Sequence, residues 1–223
     1  MSKSSQWLLL TGLGVLIISP DSLLIRLVNI SDFSLIFYRS YLQAVPLFLF
    51  CLFIYRRNTL SAFLAIGIPG IVYALLFATT HIAFVYSIQH TAVSNTLVII
   101  AGAPIFSAIF SIIFLNEKPS FFTWLIIFIA LASMFIIGWG SYTTLGIFGD
   151  FMAIICAIAM GSGVVLARYF KKIDLVPACF VGCIIAGLFT LPFEIDFNLN
   201  FNQIIYLSLM CFILLPIPFI IMT

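Results

Sequence analysis

The chain has 223 residues, of which 64% are hydrophobic and 7% charged, with a mean hydropathy of +1.30. A soluble domain carries roughly 25% charged residues, so the composition excludes a soluble globular fold and indicates a polytopic membrane protein. A net charge of +2, from nine cations spread along the chain, makes no basic patch and gives no footing for nucleic-acid binding.

A helix crossing a bilayer core of about 30 Å needs about 20 apolar residues at 1.5 Å each. Eight stretches meet that need: 7–28, 33–55, 62–88, 91–115, 120–139, 146–168, 175–193 and 202–222. The expected fold class is therefore all-α, a polytopic membrane helix bundle. Connections are short, so neighbouring helices are antiparallel and no soluble domain intervenes. The apolar run from Trp7 lacks a small-residue cleavage site and is followed by further spans, so no cleavable signal is read. The five cysteines all fall in apolar runs. Cys179 and Cys183 are one helical turn apart, but no His or carboxylate joins them, so packing is the better reading than a metal or redox pair. No metal and no cofactor is expected.

Polar residues inside the spans carry the functional information, because a charge in hydrocarbon needs a cavity or a partner. Span 1 contains Pro20, Asp21 and Ser22. Pro20 loosens the helix, and Asp21 is a candidate substrate or proton site; the plainer alternative is a solvated vestibule residue. Arg26, nearer the end, can snorkel. Arg39 in span 2 needs an anion, either a substrate or Asp21. His81 in span 3 is a candidate proton carrier or a histidine bonded to a neighbouring carbonyl. Counted from the span ends, Asp21, Arg39 and His81 all lie roughly 9–11 Å below one surface, which predicts one polar cluster.

Span 4 combines Ala101, Gly102, Ala103 and Pro104, then Ser107 and Ser111 on one face. Small residues let helices approach closely in lipid, and Pro104 frees a carbonyl. Asn116, Glu117, Lys118 and Pro119 end the span. Glu117 is read as a gating or helix-end residue, alongside Pro20 and Pro104. In span 6, Gly161-Ser162-Gly163 offers either a flexible polar break at a binding region or small residues that pack a helix.

With the amino terminus inside, Lys3, Arg56, Arg57, Lys118, Arg168, Lys171 and Lys172 all face the cytoplasm, as the positive-inside rule requires. An offset of 142 residues carries Arg26 onto Arg168, Asp32 onto Asp174, and spans 2 and 3 onto spans 7 and 8. On that offset Gly161-Ser162-Gly163 falls at the place of Pro20-Asp21. Five spans separate the copies, so the second is inverted, as in many secondary transporters. The expected domains are a five-helix repeat over 1–140 and an incomplete three-helix repeat over 146–223.

Three segments resemble the EamA-like transporters of the drug/metabolite transporter superfamily. They are the mid-span Pro104 followed by Leu115-Asn116-Glu117, the Ala83–Ala92 segment AFVYSIQHTA, and Tyr38-Arg39 after a short loop. The family usually has ten helices, so the resemblance implies a chain truncated after its eighth helix, a fragment or a frameshifted gene, with a natural eight-helix protein as the alternative. It also implies a permease of the cytoplasmic membrane that moves a small metabolite or drug by alternating access. The expected substrate-binding residues are Asp21, Ser22, Arg39, His81, Gly161 and Ser162. The expected partners are a small-molecule substrate, protons as a candidate coupling ion, the lipid bilayer, and a second copy in a candidate homodimer. The competing readings are a non-transporting membrane subunit and an intramembrane enzyme. No His-Glu-x-x-His, no Gly-x-Ser-x-Gly and no paired carboxylates within one span support the enzyme.

Overall fold

The computed structural model describes residues 12, 14, 16–117, 120–140, 146–170 and 174–216. They are helical almost throughout, with no strand among them. Among the described residues, four helical stretches are long and apolar enough to cross a membrane: 32–65, 67–90, 93–115 and 147–169. Shorter apolar helices cover 121–133, 175–190 and 201–214. Contacts divide the chain into two compact units, one of residues 1–66 with 174–223 and one of residues 67–173.

Helix α1 (Asp21–Val28) belongs to the first unit. Pro20 precedes it, and the Pro20 carbonyl accepts from Leu24 N at 3.0 Å, so a turn at Ser19–Pro20 interrupts the expected span 7–28 just where proline breaks helical bonding. Asp21 stands in the first turn of α1, where the helix dipole favours an anion, and Asn29 ends the helix in the left-handed region at φ 46°. Helix α2 (Asp32–Tyr55) starts at Ser31, whose hydroxyl accepts from Ser34 N. A 3-10 turn (Arg56–Asn58) leads to α3 (Thr59–Ala65).

The last two helices of the first unit come from the far end of the chain. Helix α9 (Leu175–Thr190) packs on α2, and α10 (Phe201–Leu209) packs on α1. The α9 stripe Cys179, Gly182, Cys183, Ala186 and Gly187 is buried and repeats at helical spacing. Gly187 admits the Tyr41 ring so closely that a Cβ would lie 2.7 Å from it. At the start of α10, Asn200 and Gln203 form a reciprocal capping box. The Gln203 amide also donates to the Val28 carbonyl at 2.9 Å, which satisfies an end group of α1. After Leu209 the backbone widens into a π turn over Met210–Leu214.

The second unit holds α4 (Gly67–His90), α5 (Val93–Ala101), α6 (Ala103–Leu115), α7 (Phe121–Gly140) and α8 (Ile147–Tyr169). Helix α8 is its centre and touches α4, α5 and α6. Ala74 and Ala78 on α4, and Ala153 and Ala157 on α8, are buried, which is how helices gain van der Waals contact in lipid. The Ser87 and Thr96 hydroxyls bond at 2.7 Å, joining α4 to α5.

Two expected spans are not single helices. Span 62–88 begins only at Gly67, whose φ of +58° turns the chain, while 59–65 form the separate α3. Span 91–115 breaks at Gly102: α5 ends at Ala101, and Pro104 sits in the first turn of α6, where its missing N–H costs no helical bond. Large side chains of α7 such as Phe121, Phe122, Phe128 and Ile136 are exposed, whereas Ile127 is buried.

Candidate functional site

In the first unit, the turn at Ser19–Pro20 precedes Asp21, which stands in the first turn of α1. Arg39 comes from the buried face of α2, and its Nη2 donates to Asp21 Oδ2 at 2.8 Å. The Arg39 side chain is 4% exposed and that of Asp21 6%, so this is a buried ion pair. Among the described residues, the expected pairing of Asp21 with Arg39 is therefore present. Ser22, next on α1, is buried as well.

The π turn packs on both α1 and α2, and Cys211 within it approaches the Arg39 carbonyl through its thiol at 3.8 Å. Single π turns in helices are frequent at functional positions, so two helix irregularities, at Pro20 and at Met210–Leu214, flank the same pair. Ser40 and Gln43, buried beside Arg39 on α2, belong to this setting and were not singled out from the sequence. The i+4 spacing of Gln43 from Arg39 was the signal available.

At the far end of α2 the Tyr55 hydroxyl donates to Asp174, a contact between the two sequence segments of the unit. At the near end, Ser34 Oγ accepts from Asp196 N at 2.8 Å, and the Tyr38 hydroxyl donates to the Asp196 carbonyl at 3.0 Å.

His81 belongs to the second unit. It is buried on α4, and its ring centroid lies 5.0 Å from that of Phe77. Gly161, expected as a binding residue, lies there against the helix that Pro104, expected as a gating residue, begins. A Cβ on Gly161 would lie 2.7 Å from the Ala103 carbonyl oxygen and 2.9 Å from both Phe106 Cβ and Ser107 N. Gly161 of α8 is thus seated on the first turn of α6, directly after the break at Gly102. Ser162 donates back to the Ile158 carbonyl at 2.7 Å. It also lines a groove of about 470 Å³ with Leu76, Phe110, Phe114, Val165 and Tyr169.

Glu117 follows the C-cap of α6, where Asn116 takes φ 52°. Both its carboxylate oxygens accept from Arg168 Nη2, at 2.8 and 2.9 Å, and the two side chains are about half exposed. The ends of α6 and α8 are thereby tied by charge. At the other end of α8, Asp150 accepts from the Thr91 hydroxyl at 2.7 Å. Lys118, Pro119, Lys171 and Lys172 lie outside the described residues. Among the described residues no group of three or more His, Cys, Asp and Glu gathers as a metal site would require.

The EamA-like transporter family model matches residues 5–139. No curated protein and no solved structure matches the chain. The matched segment is more than half of the 223 residues and includes Asp21, Arg39, His81, Pro104 and Glu117. Family match, apolar helices and all-helical architecture agree on a multi-pass membrane protein of a class that moves small molecules, and the chain belongs to the EamA-like transporter family.

Proposed function

We propose that this protein is a secondary transporter that moves a small metabolite or drug across the cytoplasmic membrane by alternating access. The observation that carries the reading is the buried Asp21–Arg39 ion pair at 2.8 Å, flanked by a proline break and a π turn. Charges at membrane depth are costly, and where they occur they mark substrate or ion paths. A paired anion and cation offer a ligand two places to compete, and competition for one partner loosens the contact that holds α1 to α2.

The remaining residues take roles around that pair. Ser22 adds a hydroxyl next to Asp21. His81 is the candidate proton carrier, with protons as the coupling ion. Gly161 and Ser162 serve the second unit, where Gly161 rests on the hinge formed by Gly102 and Pro104. Glu117 with Arg168 is the gate: a half-exposed pair is cheap to break, so α6 can swing about Gly102 without disrupting the packing near Ala103. Pro20 gives α1 the corresponding freedom. The repeat offset of 142 residues supports an inverted pair of repeats over 1–140 and 146–223, and the cation distribution supports a cytoplasmic amino terminus.

The test is flux by the reconstituted protein with Asp21→Asn, Arg39→Gln and the exchange Asp21→Arg with Arg39→Asp. Each single change should lower uptake at least ten-fold. Unchanged uptake in both single variants removes the pair from the transport path.

A further inference from the structure

Among the described residues, three buried oxygens around the Asp21–Arg39 pair have no hydrogen-bond partner: Asp21 Oδ1, Ser40 Oγ and Gln43 Oε1. Gln43 is 3% exposed and Ser40 fully buried. All three are near Arg39: Asp21 through the ion pair, Ser40 as its neighbour in sequence, and Gln43 one turn further along the same face of α2. Buried polar groups in folded proteins are nearly always bonded, and each exception calls for a reason.

Ser40 makes the exception clearer. A serine or threonine inside an apolar helix usually returns its proton to the carbonyl four residues back. Thr79, Thr80, Ser133 and Ser162 all do so here, at 2.7–2.9 Å. Ser40 does not, so its hydroxyl is kept available. These three atoms are all oxygens, and the Arg39 guanidinium beside them presents Nε and Nη1 as donors. A carboxylate and an amide oxygen can only accept, and the serine hydroxyl can do either. Whatever satisfies them must bring donors.

Charge decides the rest. Asp21 and Arg39 already neutralise each other, so an ion entering this buried place would arrive without a counter-charge, which is far more costly than burying a bonded neutral group. We propose that Asp21, Ser40 and Gln43 form the acceptor side of a binding site for a neutral molecule with several hydrogen-bond donors, a polyol or a primary amide. The proposal rests on the reading of Asp21 and Arg39 as the transport site and names the substrate class of that site. Gln43 is its specificity residue.

The experiment is scintillation-proximity binding on the purified full chain in detergent, with four labelled probes: mannitol, acetamide, methylammonium and acetate. Mannitol or acetamide should bind saturably, and methylammonium and acetate should not. Gln43→Leu should weaken the neutral probe at least ten-fold, and Ser40→Ala about three-fold. Ser40→Ala removes an unsatisfied hydroxyl and so folds at least as well as the parent, which keeps the test open should Gln43→Leu not fold. Saturable binding of only a charged probe, binding of none, or an affinity unchanged from the parent in both the Ser40 and Gln43 variants overturns the proposal; binding of none means that ordered water alone satisfies the three oxygens. Flux that needs Asp21 and Arg39 yet ignores Gln43→Leu would keep the transport reading and defeat this one. Probe binding that needs Gln43, with flux indifferent to Asp21 and Arg39, would do the reverse.

Discussion

Gly161 stands directly against the carbonyl of Ala103, so near that a methyl group on it would lie 2.7 Å from the oxygen. The contact falls one residue past the break at Gly102, so the point where α8 presses on α6 is also the point where α6 begins. Gly161→Ala should therefore destabilise the protein by about 1–3 kcal/mol, the range for overpacked sites. Gly163→Ala is the control: its Cβ would meet the Tyr73 ring at 3.6 Å, an ordinary contact, so stability should stay within about 0.5 kcal/mol. Steric-trapping unfolding in bicelles measures both. Equal effects would show that close approach at Gly161 does not hold α6 on α8.

The Asp21–Arg39 pair should behave as buried pairs do. Asp21→Asn or Arg39→Leu alone leaves one charge buried without its counter-ion, at about 3–5 kcal/mol. The double variant removes both charges and should lose less than the sum. A double-mutant cycle reads this directly, with a coupling of about 1–3 kcal/mol expected. Additive losses would mean that the two side chains do not act together.

Glu117 and Arg168 are half exposed, so their pair should matter little to stability and more to access. Glu117→Gln should shift stability by less than about 1 kcal/mol. In the same variant a cysteine at position 162, introduced as Ser162→Cys in the groove, should react several-fold faster with a soluble thiol reagent. The exchange Glu117→Arg with Arg168→Glu should restore the slow rate. Labelling that is the same in all three proteins argues against a gate.

Orientation can be checked within the first unit. Arg57 lies beyond one end of α2, and Asn198 lies in the exposed segment bonded to its other end through Asp196 and Ser34. Arg57→Cys should label only from the cytoplasmic side and Asn198→Cys only from outside. The five native cysteines are buried and should stay silent. Labelling of both positions from one side would contradict a membrane-spanning α2.

How much of this was legible beforehand follows from how local each signal is. The helical class and the positions of most spans could be read from the chain, because an apolar run long enough to cross a bilayer declares itself residue by residue. The meeting of Asp21 with Arg39 was legible too, since a charge in an apolar span has few places to go; His81 was counted to the same depth, and it belongs to the second unit, beside Phe77. Glu117 was recognised as a helix-end residue, but its partner Arg168 is 51 residues away, and nothing local connects them.

Composition and the order of polar residues determined by themselves that the chain is a membrane helix bundle, which charges must be paired, and where prolines would loosen helices. Tertiary structure alone decided that α4 starts at Gly67, that Gly161 sits against the first turn of α6 after the break at Gly102, that residues 1–66 pack with 174–223, and that Ser40 Oγ and Gln43 Oε1 have no hydrogen-bond partner among the described residues. The reason is physical. When nearly every face of a helix is apolar, hydrophobicity no longer distinguishes the packed face from the lipid face. The choice then falls to size and shape, to the glycine or alanine that lets a neighbour approach, and that complementarity exists only once both helices are in place.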